Sequence, residues 1–253
     1  MPGPRHILIT GASGGIGAAL AAAYAAPGVR LSLAGRDPDR LAATARACRD
    51  AGAETAITVF DVTDAQAAAD WINAADDCSP IGLLIANAGV SAGTGRGGES
   101  ADQARAILTV NIDGVRNVVR PAIDRMQSRR RGQIAIMSSL AGFVGIPGAQ
   151  AYCASKAAVR VWGETLRRDL APDNIRVSVI CPGFVRSPMT DVNRFPMPFL
   201  MDADRAARLI VNRLHRNRGR IAFPFPMYLA VRLIATLPAS LRDRALRPRP
   251  GHS

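Results

Sequence analysis

A tyrosine and a lysine four positions apart form the pair of side chains best suited to proton transfer. Tyr152 and Lys156 lie in the run Tyr-Cys-Ala-Ser-Lys, and residues at i and i+4 share one face of a helix. A phenol has an ordinary pKa of about 10, so it exchanges protons poorly near neutral pH. A nearby ammonium favours the phenolate and lowers that pKa. The pair therefore predicts acid–base chemistry suited to interconverting an alcohol and a carbonyl.

Lysine usage supports this interpretation. Lys156 is the only lysine among 32 basic residues, and all the others are arginine. Arginine is planar and always charged, whereas lysine is a compact ammonium whose pKa can shift. Compositional drift is the alternative explanation of a single lysine. The count therefore favours a functional lysine without requiring one.

A serine thirteen positions before Tyr152 predicts the group that orients a substrate. Ser139 follows the β-like run Gln133–Ser138, and ligands of open α/β sheets bind at the carboxyl ends of the strands. A hydroxyl at this place can hydrogen-bond a substrate oxygen and fix its direction. Ser138 is the alternative, and the spacing favours Ser139.

A glycine-rich turn near the N-terminus predicts a phosphate-binding site. The apolar run His6–Thr10 is followed by Gly-Ala-Ser-Gly-Gly-Ile-Gly and then by a helical pattern. A strand that ends in glycines and opens a helix collects free N–H groups and the positive end of the helix dipole, which suits a pyrophosphate. The alternative is a purely structural turn. The residues expected to hold a dinucleotide here are Gly11, Ser13, Gly14, Gly15, Ile16 and Gly17.

The next two β-like runs end in charged residues that would face the adenosine. Arg36 stands where an acidic residue would hold ribose hydroxyls and an arginine would receive a 2′-phosphate. This favours NADP(H), with NAD(H) as the alternative. Arg36 could otherwise be a solvated loop cation, with Asp37 capping the next helix. Asp61, followed by Val62, could accept a hydrogen bond from the adenine amino group or simply cap a helix.

Short β-like runs alternate with longer helical runs along the chain. The predicted strands are His6–Thr10, Arg30–Gly35, Thr55–Phe60, Ile81–Asn87, Gln133–Ser138, Ile175–Cys181 and Arg220–Phe223. The predicted helices are Ile16–Ala25, Asp39–Ala51, Asp64–Ala75, Asp102–Met126, Tyr152–Leu170 and Ala203–Arg216. Several strands are continuously apolar, as in a parallel sheet covered on both faces. The pattern predicts the α/β class: a single-domain, Rossmann-type, doubly wound parallel sheet of about seven strands with helices on both faces.

Composition excludes several classes of protein. The 253 residues, 48% hydrophobic and 21% charged, suffice for one large α/β domain or two small ones. The 23 Gly, 17 Pro and 4 Cys show no period, which excludes collagen-like, disordered and disulfide-scaffold chains. The cysteines form no CxxC pair, so we expect no metal site. The apolar run Ile7–Ile9 is too short for a signal peptide, and the cytoplasm is the expected compartment.

Positive charge concentrates in the C-terminal quarter of the chain. The net charge is +12, and the segment from Thr190 to the end holds 12 Arg and 4 Asp, a net of +8. The triplet Arg129–Arg131 has no interleaved aromatic residue, and no element that reads nucleic acid is recognisable. We therefore expect no nucleic-acid partner.

Together the motifs resemble those of the classical short-chain dehydrogenase/reductase (SDR) family. The resemblance covers about residues 5 to 190. The motifs that carry it are Thr10–Gly17, Asn87-Ala88-Gly89, Asn111, Ser139, Tyr152 with Lys156, and Pro182-Gly183. It implies that Tyr152 is the catalytic acid/base, that Lys156 lowers its pKa and holds the nicotinamide ribose, and that Ser139 polarises the substrate carbonyl.

The resemblance also assigns residues that flank the reacting groups. Asn111 would position a water of the proton relay. Asn87, Ala88 and Gly89 would steady the sheet and line the adenosine side of the dinucleotide. Members of the family are commonly dimers or tetramers, so the resemblance also implies a homo-oligomer.

The segment after the sixth predicted strand would complete the dinucleotide site. Pro182 and Gly183 would face the nicotinamide, with the Val185 backbone against its carboxamide. Ser187 and Thr190 are alternatives for binding the carboxamide or the diphosphate.

Two C-terminal segments carry the expectations on substrate and partners. Residues 1–225 would form the dinucleotide-binding catalytic domain, with a Pro- and Met-rich lid at 186–202. The lid suggests a lipophilic substrate, and the alternative is a lid packed on its own protein. Residues 226–253 would form an extension, apolar over Met227–Leu237 and then rich in arginine. Because a bilayer crossing takes about 20 apolar residues, the extension would instead pack in a subunit contact, make a peripheral contact with a membrane, or end in disorder.

The predicted function is NADP(H)-dependent interconversion of a carbonyl and a secondary alcohol. The alternative is a non-catalytic dinucleotide-binding sensor or scaffold of the same fold, whose usual sign is a broken Ser139, Tyr152 and Lys156 set. Here that set is intact. NADP-dependent members of the family often carry a basic residue inside the glycine turn, where this chain has Gly14. The NADP prediction therefore depends on Arg36 alone.

Overall fold

Seven parallel strands form one sheet in the computed structural model, which describes residues 3–92, 98–191 and 196–246. The strands are β1 His6–Thr10, β2 Arg30–Gly35, β3 Glu54–Val59, β4 Leu83–Ala86, β5 Gly132–Met137, β6 Ile175–Pro182 and β7 Arg220–Phe223. Their order is β3-β2-β1-β4-β5-β6-β7, and all neighbouring pairs are parallel. The predicted α/β class and doubly wound sheet are confirmed.

Helices cover both faces of this sheet. They are α1 Gly15–Tyr24, α2 Pro38–Asp50, α3 Ala65–Cys78, α4 Ala101–Leu108, α5 Gly114–Ser128, α6 Gln150–Asp169, α7 Pro188–Asp191, α8 Ala203–His215, α9 Phe225–Thr236 and α10 Ala239–Leu246. One apolar cluster joins the sheet to α1, α2 and α8, and a second joins it to α3, α5 and α6.

Alternate residues of β1 enter these two clusters. Ile7 and Ile9 belong to the cluster that contains Leu20 of α1, whereas Leu8 belongs to the cluster that contains Ile72 of α3. All five side chains are completely buried. A strand apolar at every position is thus buried on both faces, because successive side chains point to opposite sides of the sheet.

The edge strand β3 departs from this pattern. Ile57 is 43% exposed and Val59 is 50% exposed. β3 has a neighbouring strand on one side only, because it stands at the end of the strand order. Its apolar sequence therefore predicts a strand correctly, but not one that is buried.

The predicted helix Asp102–Met126 is interrupted. α4 ends at Leu108, a π-helical turn occupies Thr109–Asp113, and α5 begins at Gly114. Asn111 lies in the middle of this turn and is fully buried. The hydrophobic period continues on both sides of the turn, which is why the sequence pattern predicts one helix. Such wide turns within helices frequently occur at functional sites.

The C-terminal extension folds onto the domain through one face of α9. Met227, Tyr228 and Val231 pack against the small apolar cluster that contains Leu140 and Cys181. Residues 247–253 of the extension lie outside the described residues, as do residues 192–195 of the lid. Within the three described ranges, no helix combines the length and the hydropathy that a bilayer crossing requires.

Candidate active site

A cavity of about 460 Å³ opens at the carboxyl ends of the parallel strands. Its volume lies within the range of small-molecule sites, about 300–1,000 Å³. It is lined by all the predicted site residues except Gly17 and Asn111, namely Gly11, Ser13, Gly14, Gly15, Ile16, Arg36, Asp61, Val62, Asn87, Ala88, Gly89, Ser139, Tyr152, Lys156, Pro182, Gly183, Val185 and Ser187. Residues separated by more than 170 positions therefore meet in one place.

The glycine turn has a backbone that few other residues could adopt. Gly11 and Gly15 have φ angles of 66° and 54°, in the left-handed region that favours glycine. A Cβ on Gly17 would collide with the carbonyl oxygen of Gly11. Gly17 therefore shapes the turn from behind the cavity rather than lining it.

Asn87 and Thr10 fix the glycine turn to the end of β4. The Asn87 amide nitrogen donates to the carbonyl oxygens of Thr10 and Gly11, at 3.0 and 3.2 Å. In return, the Thr10 hydroxyl accepts from the backbone N–H groups of Asn87 and Ala88, both at 3.1 Å. The N-cap of α1, Gly14, provides no side-chain cap. The first N–H groups of α1 therefore remain for an anion at the positive end of the helix dipole.

Charged groups meet at the far end of the cavity. Arg36 pairs with Asp61 at 3.5 Å, and their side chains are 67% and 40% exposed. Partial burial opposes ionisation of Asp61, but hydrogen bonds from Thr63 and the Arg36 charge hold its pKa below the ordinary value. The alternative of Asp61 as a helix cap is wrong, because Asp64 caps α3. Asp37 does cap α2, and its side chain accepts from the backbone N–H of Arg40.

Arg40 is a cavity residue that the sequence analysis missed. It lies in the first turn of α2 and lines the cavity beside Arg36. Its guanidinium occupies the space over Gly14, where a Cβ would overlap it. The absence of a side chain at Gly14 therefore makes room for a cation from another element. The available signal was an arginine in the first turn of the helix that follows the second strand.

Tyr152, Lys156 and Ser139 meet at the opposite end of the cavity. The Lys156 Nζ lies 5.7 Å from the centre of the Tyr152 ring and donates to the carbonyl oxygen of Met137 at 3.3 Å. The Ser139 Oγ accepts from the backbone N–H of Ala141 at 3.1 Å, donates to the Pro182 carbonyl oxygen at 3.4 Å, and interacts with the Tyr152 hydroxyl. Ser138 instead donates its hydroxyl hydrogen to the carbonyl oxygen of Lys156 at 2.7 Å. Ser139, rather than Ser138, is therefore the serine that interacts with the tyrosine.

Burial shifts the pKa values of Tyr152 and Lys156 in opposite directions. Desolvation raises the pKa of Tyr152, and the hydrogen bond with Ser139 opposes this rise. Desolvation lowers the pKa of Lys156 to about 8, against a smaller opposing effect of Cys181. The spacing of Tyr152 and Lys156 predicts that the lysine lowers the pKa of the tyrosine. In this structure the desolvation of the phenol prevails, so Tyr152 keeps its proton near neutral pH.

Asn111 faces the backbone around the site rather than the cavity. Its Oδ1 accepts from the backbone N–H of Val90 at 2.8 Å, and its Nδ2 donates to the Val90 carbonyl and to the Ser155 Oγ, both at 3.0 Å. Both hydrogens of the amide are therefore engaged. The role of Asn111 in positioning a water remains a prediction. The two Nδ2 hydrogens are already engaged and would not contribute to it.

The segment after β6 reaches back to the glycine turn. The Thr190 Oγ1 accepts from the backbone N–H of Ser187 at 2.9 Å and lies 3.0 Å from the Val185 carbonyl oxygen. A Cβ on Gly15 would lie 2.9 Å from the Ser187 Cβ. Thr190 thus holds the loop together, while Ser187 lies over the turn. Among the described residues, no three His, Cys, Asp or Glu side chains are grouped so as to hold a metal ion.

A family model described as "short chain dehydrogenase" matches residues 5–196. The chain is also similar to an uncharacterized oxidoreductase of Myxococcus xanthus, at 38% identity over 244 residues that cover 96% of each chain.

Two solved structures share the fold at similar identity. A short chain dehydrogenase/reductase from Burkholderia phymatum in complex with NAD matches with a TM-score of 0.84 and 28% identity, over 98% of this chain and 97% of that one. A short-chain dehydrogenase from Sphingobium yanoikuyae in complex with NADPH matches with a TM-score of 0.80 and 26% identity, over 93% of this chain and 97% of that one. These two neighbours therefore differ in the dinucleotide that they hold.

Proposed function

Because the chain belongs to the short-chain dehydrogenase family, we propose that it reduces a lipophilic carbonyl compound, or oxidises the corresponding secondary alcohol, with NADP(H) as the preferred dinucleotide. The coarse activity follows from the family: the protein is an oxidoreductase that acts on CH–OH and C=O groups with a nicotinamide dinucleotide. The observation that carries the proposed reaction is the meeting of Ser139, Tyr152 and Lys156 in the same cavity as the glycine turn.

The residues of the cavity fit a dinucleotide. A Cβ on Gly11 would lie 3.0 Å from the Ala88 Cα, so glycine allows the turn to pack directly on the segment that follows β4. The uncapped N-terminus of α1 offers N–H donors to the phosphates. At the other end, Lys156 would donate to the nicotinamide ribose, and the Pro182–Val185 backbone would flank the nicotinamide.

The reaction needs one proton and one hydride. The bound nicotinamide supplies or accepts the hydride. In the direction of reduction, Tyr152 donates its phenolic proton to the substrate oxygen while the carbonyl carbon receives the hydride. Ser139 donates a hydrogen bond to the same oxygen and fixes its direction. The charge of Lys156 stabilises the phenolate that is left on Tyr152, until a proton from solvent restores the phenol.

The preference for NADP(H) is supported by two cations instead of one. Arg36 and Arg40 both line the end of the cavity beyond the glycine turn. Asp37, which also lines the cavity, is engaged as the N-cap of α2, where its carboxylate accepts from the backbone N–H of Arg40. A phosphate between two guanidinium groups accepts charge-assisted hydrogen bonds from both. The experiment is a pair of titrations, with NADPH and with NADH, followed by cofactor fluorescence.

The proposed lipophilic substrate is supported by apolar side chains around the lid. Met189 lines the cavity and is 39% exposed, and Phe199 is 59% exposed. Phe195, in the same segment, lies outside the described residues. The test is a panel of ketones and aldehydes of increasing hydrocarbon size, with turnover followed by NADPH absorbance. A kcat/KM that does not rise with hydrocarbon size would contradict this part of the proposal. Dinucleotide binding without turnover of any member of the panel would favour the non-catalytic sensor.

For the C-terminal extension, we propose contact with an anionic membrane surface. The outward face of α9 carries Phe225, Leu229 and Leu233, which are 69%, 47% and 59% exposed. Arg232 borders this face and Arg244 lies on α10, so the nearby charge complements anionic headgroups. A stable subunit contact takes about 20–30 residues from each partner, more than this face of a single helix supplies.

Vesicle sedimentation tests this surface contact. We expect the protein to sediment with phosphatidylglycerol vesicles more than with phosphatidylcholine vesicles, and the triple change of Phe225, Leu229 and Leu233 to Ser to abolish the difference. A changed sedimentation coefficient in that variant, without vesicle binding by the wild type, would assign the face to a subunit contact instead. Sedimentation velocity also tests the proposed homo-oligomer, a dimer or a tetramer.

A further inference from the structure

The backbone of Tyr152 is held by groups outside its own helix. Its N–H donates to the Glu99 Oε1 at 3.0 Å, and the neighbouring N–H of Ala151 donates to the Glu99 Oε2 at 2.5 Å. One carboxylate therefore binds two successive amides in the first turn of α6. The N-cap residue of that helix, Ala149, provides no side-chain cap, so Glu99 takes the place of one.

The carbonyl of Tyr152 is held as well. It accepts the Ser155 hydroxyl hydrogen at 2.8 Å, and the Ser155 Oγ in turn accepts from the Asn111 Nδ2 at 3.0 Å. Glu99 and Asn111 lie on either side of α4 in the chain. Both peptide groups of Tyr152 thus depend on the segment that joins β4 to α5. Ser155 and Asn111 are completely buried, which limits the alternatives open to this network.

Glu99 is itself held in place. The next residue, Ser100, is the N-cap of α4 and forms a reciprocal capping box with Gln103. The start of α4 is therefore fixed by its own cap, and the adjoining Glu99 carboxylate is presented to α6 from a rigid position. A negative charge at a helix N-terminus also has a favourable interaction with the helix dipole.

We propose that Glu99 is a positioning residue for catalysis: its carboxylate fixes the first turn of α6 and thereby the direction of the Tyr152 hydroxyl toward Ser139 and the substrate. Glu99 does not line the cavity, so it acts through the backbone rather than on substrate or cofactor. Misplacement of a reacting group by about 1 Å can cost about 100-fold in rate. Loss of the clamp should therefore lower kcat and leave dinucleotide binding intact. This inference depends on the proposed function for its catalytic part.

The test compares Glu99→Ala, Glu99→Gln and the control Asp102→Ala. Asp102→Ala removes an exposed carboxylate from the first turn of α4 and keeps both the Ser100 cap and the Glu99 clamp. With NADPH and the bicyclic ketone decalone as probe, we expect kcat to fall by about ten- to 100-fold in Glu99→Ala, with the Kd of NADPH unchanged within about twofold. Glu99→Gln keeps one acceptor oxygen and should recover part of this loss, whereas Asp102→Ala should retain most of the wild-type kcat.

Hydrogen exchange gives a readout that needs no substrate. The amides of Ala151 and Tyr152 should exchange at least about tenfold faster in Glu99→Ala than in the wild type, with Glu99→Gln in between. Unchanged exchange would overturn the clamp. Faster exchange with unchanged kcat would overturn its role in catalysis. If the wild type binds NADPH but turns over no carbonyl, the proposed function fails, and the exchange measurement alone decides whether the clamp exists.

Discussion

The two ends of the cavity use charge in opposite ways. At the reacting end, Lys156 is 4% exposed and Ser139 is 8% exposed, and burial shifts the pKa of Lys156 to about 8. At the adenosine end, the side chains of Arg36 and Asp61 are 67% and 40% exposed. A charge in a desolvated place controls protonation, whereas an exposed charge acts through attraction that solvent and salt screen. The same cavity therefore combines proton chemistry at one end with ionic recognition at the other.

The largest expected effect is the loss of kcat when the Tyr152 hydroxyl is removed from the buried end of the cavity. Tyr152→Phe removes the hydroxyl and keeps the ring, so kcat should fall by about 10³-fold, because general acid–base catalysis contributes about 10²–10⁴-fold. The Kd of NADPH, from fluorescence titration, should change little. Tyr228→Phe is the matched control, because Tyr228 hydrogen-bonds Arg220 away from the cavity lining. Wild-type turnover in Tyr152→Phe would contradict the assignment of Tyr152 as the catalytic acid/base.

At the exposed end, we expect a smaller effect that depends on salt. Replacing Arg36 and Arg40 together by Ala should weaken NADPH about ten- to 100-fold, since hydrogen bonds to charged groups contribute about 1.5–3 kcal/mol each before screening. The affinity for NADH should change little, and the loss should shrink as the salt concentration rises. Arg46→Ala, on the exposed side of α2, is the control. Equal losses for NADPH and NADH would contradict the proposed 2′-phosphate contact.

The pH dependence of kcat tests the protonation states of Lys156 and Tyr152 at the buried end of the cavity. Lys156 is charged below its pKa of about 8 and neutral above it. Because the raised pKa of Tyr152 keeps the phenol protonated, carbonyl reduction should hold its rate up to about pH 8 and fall about tenfold one pH unit above. Alcohol oxidation needs the phenolate and should rise with pH instead. Steady-state kcat in both directions checks this, and parallel profiles would refute it.

The smallest effect concerns a buried titratable group without a catalytic task. His6 of β1 is 1% exposed and bonds Ser32 and the Ser79 backbone. Burial lowers its pKa below 6.5. The unfolded chain therefore binds more protons below about pH 6.5, and stability is lost as the pH falls from there toward the folded pKa.

Thermal unfolding measures this loss. We expect the Tm to fall by a few degrees between neutral pH and pH 5, from the His6 contribution alone. His215→Gln should keep this decline, because His215 is exposed. His6→Gln should have a lower Tm at neutral pH and a flatter dependence on pH. An equally steep decline in His6→Gln would assign the effect to other groups.

Patterns of a few neighbouring residues predicted the fold well. The bounds of β1, β2 and β7 agree with the prediction because each strand is apolar between clear turn residues. The π-helical turn at Thr109–Asp113 was missed because one extra residue in a turn does not change the local composition. Burial of β3 depends on strand order, which a strand's own sequence does not encode.

The site residues were predictable where the chemistry requires one particular type of residue. The glycine turn and the Tyr152, Lys156 and Ser139 set were found because their chemistry restricts residue type and spacing. Arg40 and Glu99 were missed because an arginine or a glutamate near the start of a helix is common. The role of each depends on its contacts with distant parts of the chain, which the local sequence does not show. The pKa direction of Tyr152 was likewise inaccessible, because the depth of burial decides between desolvation and charge attraction.

Gly183 links the chain's tail to its centre. A Cβ there would lie 2.8 Å from the Met227 Sδ and 3.0 Å from the Pro224 Cδ, so the start of α9 rests directly on the loop that lines the cavity. In practical terms, α9 packs against the wall of the cavity and is not a detachable appendage. An affinity tag therefore belongs at the amino end, and a shortened product of proteolysis should not be used for assays.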